Sequence, residues 1–199
     1  MNSGFTSERV YGALKRRLLG GEFKPGERLD PALLSESLSS SVTPVRDVLN
    51  ILRGEGLVET RTGEGFFRPH ITAPDLEDFY HWSEQILWLS IRHWREIEDT
   101  FPTVTDAEAE DRIAELFVRI AARSGNAEHQ RAIMGVNDRL HAVRAVEGRM
   151  LTDTDAERAA IEAAHVAADS RDLSRLLSLY HRRRRRAASD IVRAIYRTV

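Results

Sequence analysis

The chain has 199 residues, of which 42% are hydrophobic and 30% charged, a balance typical of a folded soluble protein. Its formal net charge of −2 excludes polyanion binding by the surface as a whole, so any nucleic-acid surface has to be local. The lack of cysteine excludes disulfides, thiolate metal sites and cysteine nucleophiles. With no signal-peptide pattern and no apolar run of about 20 residues, the sequence predicts a cytoplasmic protein that does not associate with membranes.

The chain changes character near Pro69. Residues before that point mix short helical patterns with a strand-like end, whereas the remainder has helical patterns throughout. We therefore expect a first domain over residues 1–70 and an all-α second domain over residues 71–199.

The first domain begins with an apolar stripe of period four, which predicts a helix over residues 7–19. Asp30 and Thr43 each precede a proline. A capping residue followed by a proline is typical of the start of a helix. Residues 57–68 read as two short strands around a glycine turn. Three helices followed by a β-hairpin form a winged helix-turn-helix, so the fold class is mostly α, with a winged helix-turn-helix followed by a helical bundle.

The third predicted helix carries the residues expected to read DNA. Its N-terminal turn offers unpaired backbone N–H groups to a phosphate, and Arg46 is suited to a guanine edge or a phosphate. The alternative is that Thr43 only caps the helix and that the arginines form a solvated face. The expected DNA-binding residues, including those of the hairpin tip and first helix, are Ser41, Thr43, Arg46, Asn50, Arg61, Thr62, Gly63, Arg16 and Lys24.

Four motifs in this region, at the family's spacing, resemble the DNA-binding domain of the GntR family of bacterial transcription regulators. They are GEFKPGERL at 21–29, TPVRDVL at 43–49, EGLV at 55–58 and RTGEGFF at 61–67. The resemblance implies a transcription factor that binds a double-stranded DNA operator, usually as a homodimer on a short palindrome.

Two positions depart from the family pattern. Val42 stands where relatives commonly have arginine, and Ala32 stands where they commonly have a basic residue. These departures imply an unusual operator and a shallower salt dependence, because each neutralised phosphate contributes about −0.9 to the log–log slope.

The second domain reads as an amphipathic bundle. In its first helix we expect Phe79, Trp82, Ile86 and Leu89 to form the inward stripe, with Trp82 and Trp88 in the core or a dimer interface. The five predicted helices cover residues 75–97, 106–123, 127–150, a segment from the 153–155 region to about 169, and 172–197.

The segment LFVRIAARSGNAEH at 116–129 resembles a signature of the FCD domain, the C-terminal domain of FadR-like regulators. The resemblance implies a small-molecule pocket inside the bundle and a dimer interface outside it. The family's Asp–His metal pair corresponds to Ala114 and Val118, and either His181 or Tyr180 occupies the last ligand position. We therefore expect no metal and no cofactor.

Several polar residues lie on otherwise apolar helical faces and are candidates for binding a small-molecule effector. The alternative for each histidine is a core or rim residue with satisfied hydrogen bonds. The candidates are Asn137, His141, Arg144, His165, Tyr180, His181 and Arg184.

Together the two resemblances imply a transcriptional regulator, and more specifically a repressor, whose operator affinity is changed by the effector. The sequence contains no HExxH, P-loop or GxSxG motif, so we do not expect an enzyme. The alternative function is a ligand-insensitive DNA-binding or partner-docking protein with a degenerate effector domain.

Overall fold

The computed structural model describes residues 3–94 and 109–197, with side chains at 7–94 and 112–197. Within these ranges the chain has eight helices and one three-stranded antiparallel sheet. It divides into a first unit that ends at Ile71 and a second that begins at Thr72. The predicted fold class, a winged helix-turn-helix followed by a helical domain, is confirmed.

The first unit is a winged helix. Its elements are α1 (Ser3–Leu19), β1 (Arg28–Leu29), α2 (Pro31–Ser37), α3 (Val42–Gly54), β2 (Glu59–Arg61) and β3 (Gly65–Phe67). The strand order is β1-β3-β2, with Arg28 opposite Phe67 and Thr60 opposite Phe66. Strand β1 was not predicted, because two residues are too few to show the alternation that marks a strand.

The core of this unit joins the inward faces of α1, α2 and α3. From α3 it takes Val45, Val48, Leu49 and Leu52, whose spacing of three and four residues places them on one side of the helix. The other buried residues include Val10, Leu14, Leu18, Leu29, Leu34, Leu38 and Val58. This packing fixes which side of α3 faces outward.

The starts of α1 and α3 differ from the prediction. Helix α1 begins at Ser3, four residues before the predicted start. Helix α3 begins at Val42 with Ser41 at the N-cap, so Thr43 lies inside the first turn and is not the cap. The proline signal misplaced this start because the first-turn N–H groups have no partner within the helix, and proline is therefore tolerated at any of these positions.

The second unit contains α4 (Ala73–Arg92), α5 (Ala109–Ala122), α6 (Ala127–Met150), α7 (Thr154–Val166) and α8 (Ser170–Arg197). Helix α6 has its predicted bounds. Helix α4 begins two residues before the predicted start, because Thr72 and Asp75 form a reciprocal capping box. The predicted end of that helix at 97 and the predicted start of the next at 106 lie outside the described residues. No helix in the described part of the chain is both long and apolar enough to span a membrane.

Helix α4 buries only part of the predicted stripe. Trp82 is 46% exposed and Leu89 is 41% exposed, whereas Leu76, Tyr80 and Leu87 are fully buried. The buried face also contains Ser83, Glu84 and Ser90, and α4 packs against α5, α6 and α8. The apolar pattern therefore misled the prediction, because polar residues occupy part of the contact face. Of the predicted stripe, Ile86 is buried.

Candidate functional site

The outward face of α3 presents polar side chains. Arg46 and Asn50 are exposed, on the side opposite the buried Val45 and Leu49. The side-chain amide of Asn50 donates to the carbonyl of Arg46 at 3.0 Å. An exposed arginine on a helix anchored by its apolar face has the reach to contact a base edge or phosphate.

The N-terminus of α3 is open. Ser41 occupies the N-cap position, but its side chain makes no capping hydrogen bond. Both Ser41 and Thr43 are exposed. The 13-residue helix therefore starts with exposed hydroxyl groups beside its first-turn N–H groups, an arrangement that favours an anion.

The loop between β2 and β3 forms the wing. Gly63 has φ +77° at its tip, a backbone conformation that glycine adopts without steric strain. The Arg61 guanidinium donates to Glu59 at 2.9 Å and lies 4.3 Å from the centroid of the Phe67 ring. These contacts hold Arg61 along the hairpin, while Thr62 is exposed beside Gly63.

Neighbouring basic residues of α1 have different surroundings. Arg16 is exposed, as is Lys24 in the following loop. In contrast, Lys15 contacts Glu55 at 3.0 Å, and Arg17 forms an ion pair with Glu22. By its exposure, Arg16 is a better candidate for a phosphate contact than its paired neighbours Lys15 and Arg17, and the exposed Lys24 stays a candidate.

The second unit buries a polar cluster. Arg184 donates to Glu147 at 2.9 Å and to Glu157 at 2.8 Å. Nearby, Arg144 donates to the Asn137 side-chain oxygen at 2.8 Å, and the Asn137 amide donates to the Ala114 carbonyl at 2.9 Å. Burial raises the pKa of Glu147, and the neighbouring Arg184 opposes that effect.

His181 is fully buried and has one defined hydrogen-bonding role for each ring nitrogen. Nδ1 lies 2.7 Å from the Leu177 carbonyl, which can only accept, so Nδ1 carries the proton. Nε2 lies 3.0 Å from the Ser83 hydroxyl, which donates to it when the ring is neutral. Burial lowers the pKa of His181 to about 3, and the cations Arg184, Arg144 and Arg185 act in the same direction.

The seven predicted effector residues do not converge on one cavity. Arg144, Tyr180 and Arg184 line a cavity of about 70 Å³ beside α6, α7 and α8. The residues lining it do not include Asn137, His141, His165 or His181. His165 instead lies edge-on to Trp94, with ring centroids 5.6 Å apart. Across residues 3–94 and 109–197, no three His, Asp or Glu side chains are grouped so that they could hold a metal ion.

Comparison with known proteins identifies the first unit. Residues 6–67 match the model of the bacterial regulatory proteins of the gntR family. The first unit is a gntR-family winged helix-turn-helix domain. This match confirms the family resemblance of the N-terminal motifs. The matched residues of this gntR-type domain include α3 and the wing.

Two curated relatives resemble this domain. The chain is 34% identical over 72 residues to the uncharacterized HTH-type transcriptional regulator YdhC of Bacillus subtilis, covering 36% of this chain and 32% of YdhC. It is 41% identical over 58 residues to the Nta operon transcriptional regulator of Aminobacter aminovorans, covering 29% and 28% respectively. The chain thus matches about a third of these relatives' length. Both are described as transcriptional regulators.

Solved structures share the fold over most of the chain. A GntR protein from Rhodococcus sp. RHA1 has a TM-score of 0.71 at 19% identity, covering 93% of this chain and 96% of its own. McbR/YncC of E. coli has a TM-score of 0.65 at 17% identity, covering 93% and 97%. At these identities the likeness concerns the fold alone.

Sequence reasoning missed the acidic partners of Arg184 and the cavity residue Arg158. Glu147 follows Arg144 by three residues and Leu140 by seven, so it lies on the buried face of α6. Its helical spacing was a usable signal, because a carboxylate there requires a buried cation. The link from Arg184 to Glu157 on α7 spans 27 positions, and nothing in helical periodicity points to it.

Proposed function

We propose that this protein is a sequence-specific DNA-binding transcriptional regulator, in which α3 of the gntR-type domain enters the major groove of a double-stranded operator. The N-terminal residues of the second helix of a helix-turn-helix contact base edges. The exposed Arg46, on a helix held by a fully buried apolar face, is the observation that carries the proposal. Ser41, Thr43, Asn50 and the wing residues Arg61, Thr62 and Gly63 would supply further contacts, with Arg16 and Lys24 on the phosphate backbone.

The first experiment is selection of bound fragments from the source genome by the purified full chain at near-physiological salt. We expect enrichment of a few palindromic sites. Enrichment of no site, with only salt-sensitive general binding, would contradict sequence-specific recognition and would indicate that Val42 and Ala32 have removed the usual operator contacts.

The role of Arg46 is tested by Arg46→Ala, with Arg53→Ala as a matched control. Both remove one exposed arginine from the same helix, but Arg53 lies at its C-terminal end. We expect Arg46→Ala to cost roughly 1–3 kcal/mol of specific binding free energy and to lower the ratio of specific to non-specific affinity. The control should leave that ratio unchanged. An unchanged ratio in Arg46→Ala would reject the assignment.

We further propose that the second unit is an FCD-type effector domain of the FadR-like subfamily and that a small molecule bound there changes operator affinity. The buried polar cluster around Arg144, Tyr180 and Arg184 supports a ligand site in this unit. A ligand changes the DNA-binding equilibrium only through its different affinities for the two states. In this proposal the protein is cytoplasmic and acts as a repressor, so effector binding lowers operator affinity.

The regulator would act as a homodimer. Helix α4 exposes Trp82, Trp88 and Leu89, and large exposed apolar side chains are typical of an interface. Sedimentation of the chain should give the mass of a dimer, and Trp82→Glu should shift it towards the monomer. A wild-type monomer at the concentrations that bind DNA would contradict this assembly.

A further inference from the structure

Helix α2, the first helix of the helix-turn-helix, is short and has few apolar anchors. Of its seven residues, Leu34 and Ser35 are the buried ones, and Leu38 at the C-cap is the next buried residue. A helix of about two turns is not stable by its own hydrogen bonds, so its placement depends strongly on contacts at its ends. The C-terminal end has a direct bearing on DNA recognition, because the turn over residues 38–41 leads from it into α3.

This turn contains a serine in a backbone conformation that favours glycine. Ser39 has φ +48°, in the left-handed region. Its N–H donates to the Glu36 carbonyl at 3.2 Å, and the Ser40 N–H donates to the Ser35 carbonyl at 2.9 Å, which are the two hydrogen bonds of a Schellman motif. A Cβ atom is strained in this conformation, and glycine is therefore usual at this position of the motif and frequent in helix-turn-helix turns. The turn needs support from outside it to hold a serine there.

Arg9 of α1 supplies this support. Its guanidinium donates from Nη1 to the Leu38 carbonyl at 2.9 Å and from Nη2 to the Ser39 carbonyl at 3.2 Å. The Schellman hydrogen bonds satisfy the carbonyls of Ser35 and Glu36, so the two sets of hydrogen bonds act on different groups of the same turn. A planar guanidinium with two donors at a fixed separation selects one arrangement of the two carbonyls that it binds.

We propose that Arg9 is a positioning residue for α3. By binding the carbonyls of Leu38 and Ser39, it holds the turn in the conformation from which α3 enters the major groove, and it makes no DNA contact itself. When the turn leaves that conformation, the protein is not competent to bind the operator, and the apparent affinity falls with the competent fraction. The effect on operator binding rests on the proposed function, whereas the effect on the turn does not.

The first test is hydrogen exchange of the full chain without DNA, for the wild type, Arg9→Ala and Arg9→Lys. In Arg9→Ala we expect the amides of Ser39 and Ser40 to exchange roughly threefold to tenfold faster, the equivalent of about one net hydrogen bond. Arg9→Lys should lie between the two, because an ammonium group retains the charge but not the paired, planar donors. Circular dichroism checks that the variants fold.

Ser39→Gly tests whether Arg9 acts through the turn. Glycine adopts φ +48° without the strain that a serine side chain causes, so the turn depends less on Arg9 in this background. Arg9→Ala should lower operator affinity by roughly threefold to tenfold in the wild-type background and by less in the Ser39→Gly background. A general contribution of Arg9 to the stability of the domain predicts equal losses in both backgrounds, and that result would overturn the inference.

Arg16→Ala is the matched control for direct DNA contact, because it removes another exposed arginine from the same helix. Loss of a phosphate contact at Arg16 should reduce the log–log salt slope by about 0.9 and weaken specific and non-specific binding alike. Arg9→Ala should instead leave the slope and the non-specific affinity unchanged and lower the ratio of specific to non-specific affinity. A slope reduced by about 0.9 in Arg9→Ala would show that Arg9 contacts a phosphate and is not a positioning residue.

The hydrogen-exchange and DNA-binding results separate this inference from the proposed function. Unchanged exchange of the Ser39 and Ser40 amides in Arg9→Ala overturns the inference, whether or not the chain binds an operator. A wild-type affinity ratio in Arg9→Ala, together with a lowered ratio in Arg46→Ala, overturns the inference and retains the proposed function. Faster exchange in Arg9→Ala, in a chain that enriches no operator, retains the role of Arg9 in the turn and rejects the proposed function.

Discussion

Each unit of this chain contains a group of arginines, and the two groups lie in opposite environments. In the gntR-type domain, Arg16, Arg46 and Arg53 are exposed around a core of aliphatic residues. In the helical unit, Arg144 and Arg184 are buried within the bundle and surrounded by carboxylate, amide and aromatic groups. The first arrangement leaves charge available to a large polyanion, whereas the second can act only on a molecule small enough to enter the bundle.

This difference also separates the energetic roles of charge. An exposed arginine contributes little to folding, because water solvates it in both states. A buried arginine such as Arg184 must be matched by carboxylates, and the loss of one removes a charge-assisted hydrogen bond from a low-dielectric interior. Substitutions in the buried arginine–carboxylate cluster should therefore affect stability strongly, whereas substitutions of the exposed arginines of the first unit should affect function selectively.

The largest expected effect on stability is that of Glu147→Ala. It removes the carboxylate that contacts Arg184, with both side chains 3% exposed. Because Arg184 keeps its second carboxylate, Glu157, the loss is that of one buried hydrogen bond to a charged group, and we expect the free energy of unfolding of the second unit to fall by roughly 1.5–3 kcal/mol. Trp82, Trp88 and Trp94 are the three tryptophans of the chain, and all lie in this unit. Tryptophan fluorescence during urea denaturation therefore reports on its unfolding.

Glu128→Ala is the matched control. Glu128 forms an ion pair with Arg131 on the same helix as Glu147, but both partners are exposed. Exposed pairs contribute little, so its urea midpoint should stay close to that of the wild type. Equal losses in the two variants would remove the contrast between buried and exposed charge.

Acidification should destabilise the second unit through His181. In the unfolded chain His181 takes up a proton near its ordinary pKa of 6.5. In the folded state the pKa of His181 is lowered to about 3. The unfolded state therefore binds more protons between these values, and stability falls as the pH falls through 6.5. Between pH 7 and pH 5 the expected loss is about 2 kcal/mol, measured by tryptophan fluorescence in urea.

His181→Gln keeps a polar side chain but cannot titrate, so its loss over the same interval should be smaller than that of the wild type by about 2 kcal/mol. His93→Gln changes an exposed histidine and should retain the wild-type pH dependence. An identical pH dependence in wild type and His181→Gln would show that other groups control acid sensitivity.

The sequence was most informative where structure follows from local chemistry. In the gntR-type domain, the helix–hairpin order, the buried positions of α3 and the exposure of Arg46 could all be predicted from periodicity and turn residues. Strand β1 could not be predicted, because two residues are too few to show a strand pattern. The start of α3 could not be predicted either, because a proline is compatible with more than one position in the first turn of a helix.

The candidate site of the second unit was predicted only in part. Periodicity placed Arg144, Tyr180 and Arg184 on inward faces, and all three line the cavity. Periodicity also grouped these residues with His165, which lies against Trp94. The grouping was wrong because helical spacing gives the face on which a residue lies but not its neighbours on other helices. The ion pair of Arg184 with Glu157 depends on tertiary packing, which no single helix encodes.

A smaller effect on stability is expected within the gntR-type domain from Asp30→Ala. The Asp30 side chain caps α2 by accepting from the Ala32 N–H at 2.8 Å. Loss of such a cap typically costs about 1 kcal/mol. Because this domain contains no tryptophan, hydrogen exchange of the α2 amides is the suitable measurement. Unchanged protection of these amides would show that Pro31 alone defines the start of the helix.

The smallest effect on stability should come from Ser41→Ala. Ser41 has the same N-cap position on α3 that Asp30 has on α2, but its side chain makes no capping hydrogen bond. We therefore expect hydrogen exchange of the α3 amides to remain close to wild type while operator affinity falls, because the hydroxyl is left available to DNA. If Ser41→Ala lowers the hydrogen-exchange protection of α3 as much as Asp30→Ala lowers that of α2, Ser41 stabilises the helix. If operator affinity is unchanged in Ser41→Ala, Ser41 is not part of the DNA-binding surface.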